Sequence, residues 1–105
     1  MDLKGKQKHF LRSQAHSLRP LFSVGKNGLT DTWLAQLAGA LEKRELIKVN
    51  LLQTADATVA EARDFIETDK RITVVQTIGH TLVLFMPATD PADQDLSKRV
   101  AALAK

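Results

Sequence analysis

Pro20-Leu-Phe-Ser-Val-Gly-Lys-Asn-Gly-Leu-Thr30 is the stretch on which the fold turns. Leu21–Val24 reads as a short extended segment that runs straight into Gly25-Lys26-Asn27-Gly28, and an apolar-periodic helix starts at Thr30 or Asp31. Glycines at both ends of such a loop let a ligand approach the backbone with no Cβ in the way. A helix start offers unpaired N–H groups and the positive end of a dipole, which suits an anion. Lys26 adds a full charge between the glycines. The tetrapeptide also reads as a plain connecting turn, with its glycines there for geometry. The context favours a phosphate grip: strand before, helix after, lysine inside, and a basic segment upstream.

Outward from the loop, the chain alternates helix and strand periods. Leu3, Gln7, Phe10, Leu11, Gln14, Ala15 and Leu18 share a helical face, which predicts a helix over 3–17. Lys4, Lys8 and Arg12 form a row on its other side, with His9 and His16 beside it. Pro20 prevents continuation. The second helix is expected over 31–44, with Thr30 as N-cap and Leu29 and Leu34 spaced as a hydrophobic staple. Leu34, Leu37, Ala38 and Leu41 form its buried stripe. Trp33 borders that stripe, and core packing is the expectation for it over base stacking. A strand follows over 46–52, then a helix over 56–69 capped by Asp56, with an acidic outer face. Ile72–Ile78 and Thr81–Met86 around Gly79-His80 read as a hairpin. Asp90-Pro91 opens a possible last helix carrying Leu96, Val100 and Leu103, and the sequence leaves open whether this tail docks.

The 105 residues are 44% apolar and 26% charged, the balance of one soluble globular domain. No cysteine is present, which excludes disulfides, thiolate catalysis and cysteine zinc sites. His9 and His16 lie about 10 Å apart along a helix, a poor metal pair. The catalytic nucleophile and nucleotide-binding signatures are absent, so neither an enzyme nor a cofactor is expected. A cytoplasmic protein with no membrane partner is the expectation. The net charge of +3 is unevenly spread. Residues 1–30 hold six Lys/Arg against Asp2 alone, and residues 31–105 hold nine against eleven acids. That segregation points to a polyanion.

Several motifs in register carry a resemblance. Lys6-Gln7-Lys8, Leu11-Arg12, Ala15-His16, Leu18 and Pro20 precede Val24-Gly25-Lys26-Asn27-Gly28-Leu29-Thr30. Glu45-Leu46-Ile47-Lys48-Val49, Val75-Gln76-Thr77-Ile78-Gly79, Thr81–Phe85 and Pro87 follow in order. The chain resembles the YhbY-type, stand-alone CRM (chloroplast RNA splicing and ribosome maturation) domain family. The resemblance implies a single α/β (α+β) domain over 1–87, ordered α-β-α-β-α-β-β with a four-stranded mixed sheet, and a tail over 88–105. That fold is KH-like, similar to the C-terminal domain of the third bacterial translation initiation factor, and KH modules clamp nucleotides with a GxxG loop.

The family likeness further implies a monomer that binds RNA, specifically precursors of the large ribosomal subunit. RNA-binding residues by this resemblance are Gly25, Lys26, Asn27 and Gly28, with Lys6, Lys8 and Arg12 on the first helix and Lys48 on the second strand. Two positions depart from the family pattern. His80 follows the hairpin glycine where a basic residue is common, and Phe85-Met86-Pro87 stands where Tyr-Arg-Pro is common. The rival reading is a protein-interaction module with an incidental basic face.

Overall fold

Period-two alternation in the strands and three-to-four spacing in the helices build a layered domain in the computed structural model, which describes residues 3–103. The elements are α1 (Gly5–Ala15), β1 (Pro20–Val24), α2 (Asp31–Arg44), β2 (Leu46–Leu51), α3 (Val59–Ile66), β3 (Thr73–Ile78), β4 (Thr81–Phe85), a single 3-10 turn (Pro91–Asp93) and α4 (Leu96–Ala102). The strands form one sheet in the order β1-β2-β4-β3. β1 runs parallel to β2 with α2 as the crossover, while β2 with β4 and β3 with β4 are antiparallel. Pro20 is tolerated because β1 is an edge strand. The expected four-stranded mixed sheet is the one observed.

Alternation along β2 and β4 divides the core between two faces. Ile47, Val49, Leu51, Leu82 and Leu84 pack under α2 and α3 with Leu37, Leu41, Ala62 and Ile66. Leu46, Val83 and Phe85 face the other way and meet Leu11 and Ala15 of α1 and Val100 of α4. A sheet covered on both faces is what interleaved helices and strands require. Gly79, at φ 56°, fills the first position of the two-residue turn from β3 to β4, where a positive φ is needed.

The helix over 56–69 is shorter than its sequence pattern suggests, and Asp56 does not cap it. Thr58 does, accepting from the Glu61 N–H at 3.1 Å while the Glu61 carboxylate accepts from the Thr58 N–H at 2.9 Å. This reciprocal box satisfies two orphan donors at once, which a lone Asp56 could not do. The first helix is likewise shorter than expected, Gly5–Ala15 in place of 3–17.

The tail docks. Val100 is fully buried beside Leu11, and its carbonyl accepts from buried Gln7 Nε2 at 2.9 Å. Glu45 holds the other end of the tail. Its side chain, 1% exposed, accepts from Ala88 N–H at 2.8 Å, Asp95 N–H at 2.8 Å and Ser97 N–H at 3.2 Å. Glu45 sits just past the end of α2 at φ 63°, where glycine is the usual residue.

Candidate nucleic-acid interface

Gly25-Lys26-Asn27-Gly28 forms a β-turn, closed by the Gly28 N–H donating to Gly25 O at 3.0 Å. Lys26 and Asn27 occupy its central positions and are exposed. Gly28 has φ 72°, a left-handed conformation that side chains resist. Gly25 is different: a Cβ there would only touch Leu52 Cδ1 at 3.8 Å, an ordinary contact, and its φ is not in the left-handed region. The fold therefore explains Gly28, while neither φ nor a close contact requires glycine at Gly25. Gly28→Ala should lower stability by about 1 kcal/mol through strain alone. Gly25→Ala should stay within about 0.5 kcal/mol of wild type and weaken ligand binding instead. Thermal melting and binding measured on the same two proteins check this.

The start of α2 is capped as the sequence predicts. Thr30 Oγ1 already accepts from the Trp33 N–H at 3.1 Å, and Asp31 supplies a carboxylate in the first turn. With the Gly28 N–H engaged in the turn, the loop presents Lys26 and the N–H groups of Lys26 and Asn27, which no hydrogen bond within the protein engages. Below the loop, Trp33 acts as a brace. Its Nε1–H donates to Ser23 O at 3.1 Å, and its ring meets Phe22 edge to face at 6.4 Å. Trp33 thus fixes the end of β1 against the start of α2, and packs on the core.

The same strand ends lead onto the α1 face of the sheet. Val24 pairs with Leu51 and Ser23 with Asn50, and the Ser23 hydroxyl bonds Asn50 Oδ1 at 2.6 Å. Lys48, two residues back along β2, alternates to the face that Ile47 and Val49 do not use. There Lys48 and Arg12 line one groove of about 450 Å³, together with His9, His16, Gln76 and Ile78. No carboxylate lines it among the described residues. Lys6 and Lys8 are not part of this groove. Lys8 is half-buried one turn before Arg12, and Lys6 is exposed elsewhere on the helix.

Among the described residues, Lys43 pairs with Asp93 at 3.1 Å, Arg63 with Asp64 at 3.5 Å, and Arg71 with Asp69 at 2.7 Å and Glu42 at 3.9 Å. The Arg71 side chain donates to the Asp69 carboxylate and holds it below its ordinary pKa, with partial burial opposing. Lys6, Lys8, Arg12, Lys26 and Lys48 make no ion pair with any described residue. Arg12 and Lys48 thus line a groove that no described carboxylate neutralises. His9 and His16 read from the sequence as ordinary exposed residues, and Gln76 and Ile78 stood in a family motif without being assigned to the site. Their juxtaposition depends on sheet pairings far apart in the chain.

The chain is thus an α+β domain with an exposed, lysine-bearing glycine turn between β1 and α2. The CRS1 / YhbY (CRM) domain family matches residues 3–86, and the chain belongs to that family. The Bacillus subtilis protein named "Probable RNA-binding protein YqeI" is 49% identical over 83 residues, covering 79% of this chain and 86% of that protein. A Haemophilus influenzae protein named "RNA-binding protein" is 41% identical over 88 residues, covering 84% of this chain and 89% of its own length. The solution structure of the Staphylococcus aureus hypothetical protein SAV1595 is similar at a TM-score of 0.66 with 35% identity, covering 90% of this chain and 98% of that one.

Proposed function

We propose that this protein binds RNA without catalysing a reaction on it, through the Gly25–Gly28 turn and the basic residues of α1 and β2. The observation that carries the reading is that Lys26 of the exposed turn, and Arg12 and Lys48 lining one groove without a described carboxylate, make no ion pair with any described residue. The names of its relatives support the same partner. Phosphate contacts position the domain and supply most of the affinity. Within this proposal the RNA is a precursor of the large ribosomal subunit, and the protein is a monomeric, cytoplasmic assembly factor, as the family resemblance implies.

With about four phosphates contacted, the logarithm of the binding constant for single-stranded RNA should fall with the logarithm of salt at a slope of roughly −3. Charge reversal at Lys8 and Arg12 should flatten that slope while the fold survives, because neither side chain carries core packing. A slope near zero in the wild-type protein would instead favour a protein-interaction module. Crosslinking in cells, followed by identification of the bound RNA, tests the ribosomal assignment: recovery of large-subunit precursor is the expected outcome.

A further inference from the structure

The groove between α1 and the open part of the sheet has a character that phosphate binding does not explain. Ala15 and Val83 line its base but are 1% and 0% exposed, so the apolar surface it opens to a ligand is chiefly Ile78, 53% exposed. Its rim carries Arg12, Lys48, His9 and His16. Gln76 also lines it, half-buried, and its side-chain amide makes no hydrogen bond within the protein. A pure phosphate track needs cations but neither an exposed isoleucine nor an unpartnered amide.

We infer that this groove takes an unpaired nucleobase of the bound RNA, so that the protein selects single-stranded over double-stranded segments. This rests on the RNA-binding reading above and names the substrate form that the reading leaves open. Arginine guanidinium and imidazole planes stack on bases, and an amide with both donors and an acceptor free can meet a base edge. A volume of about 450 Å³ lies within the range of small-ligand sites. In duplex RNA the bases are stacked inside and the deep major groove is closed to side chains, so a duplex leaves Ile78 and the Gln76 amide unused. The absence of any lining carboxylate among the described residues fits a base attached to an anionic backbone.

The geometry links the groove to the glycine turn. Lys48 and the residue paired with Val24, Leu51, are three positions apart on β2, roughly 10 Å. An extended strand can therefore seat a base beside Lys48 while its neighbouring phosphates reach Lys26.

The test compares a short single-stranded RNA with a hairpin duplex of matching composition, using wild type and the double variant Gln76→Ala, Ile78→Ser. Neither substitution changes charge, and both positions are at least partly exposed. Wild type should prefer the single strand by tenfold or more. The variant should lose about tenfold on the single strand, little on the duplex, and keep the wild-type salt slope. Undiminished single-strand preference in the folded variant overturns the inference, as does a wild type that binds both RNAs equally. A second measurement needs no variant: uridine monophosphate titrated into the wild-type protein should shift the Gln76 amide and His16 imidazole resonances, and their failure to move overturns the inference. Absence of binding to either RNA at low salt would instead remove the RNA reading itself.

Discussion

Glu45→Ala should destabilise the domain by about 3 kcal/mol, because it leaves up to three N–H donors without their acceptor. For a domain of this size that lowers Tm by on the order of 15 °C. Ala88 is 2% exposed, so its N–H has no easy route to water, whereas Asp95 and Ser97 can find water once the tail loosens. Hydrogen exchange should therefore show α4 opening before the sheet. Glu45→Gly is the informative companion. It relieves the left-handed strain at φ 63° yet removes the same carboxylate. If the carboxylate dominates, the glycine variant is also clearly destabilised; a glycine variant as stable as wild type would show that Glu45 contributes no net anchoring.

The same carboxylate sets a pH dependence. Burial pushes the Glu45 pKa up, but the neighbouring Ser97 hydroxyl and the N–H groups of Ala88, Asp95 and Ser97 outweigh it and hold the group below its ordinary value. Ser97 Oγ itself is buried with no hydrogen bond of good geometry, so the three N–H donors are the firmer cause. A depressed folded pKa means the stabilisation is fully present above the unfolded value of about 4.3 and is lost as pH falls through the folded value. Acid should thus release the tail, and Glu45→Gln should melt with a shallower acid limb than wild type.

Why the loop and sheet were legible while the tail and groove were not follows from the range of the interactions involved. Thr30, Asp31, Leu29 and Leu34 specify the start of α2 within six residues, and cap, dipole and staple all agree there. β-branched residues bounded by Gly79 similarly announce the hairpin. Glu45, by contrast, is a helix-end glutamate in the sequence, and only the return of the chain 50 residues later gives it Asp95 to hold. Gln7 looked like one polar member of an apolar face; its partner, the Val100 carbonyl, is 93 residues away. Met86 shows the same limit. Here the side chain is fully buried under α2 and α3, so the position serves the core. Asp56 failed as a cap for a local reason: Thr58 and Glu61 offered two bonds where it offered one.

The glycine turn is where a ligand role and a connector role predict different numbers. In the double variant Lys26→Asp, Asn27→Asp both glycines remain, so the Gly28 N–H to Gly25 O bond and the left-handed Gly28 should persist. Both substituted side chains are exposed, and stability should change by about 0.5 kcal/mol or less. Added carboxylates ahead of α2 also favour its dipole. Binding has no such tolerance. One cation is lost and two anions stand beside the N–H groups offered to phosphate, so affinity for the RNA should fall tenfold or more, on the order of 1.4 kcal/mol. The salt slope should lose about 0.7 with the departing phosphate contact. RNA affinity and thermal melting measured on one preparation decide between the two roles. A folded variant with wild-type affinity would mean that the turn only connects β1 to α2. The binding energy would then have to come from Arg12, Lys48 and their neighbours on the α1 face, whose cations are equally free of ion pairs.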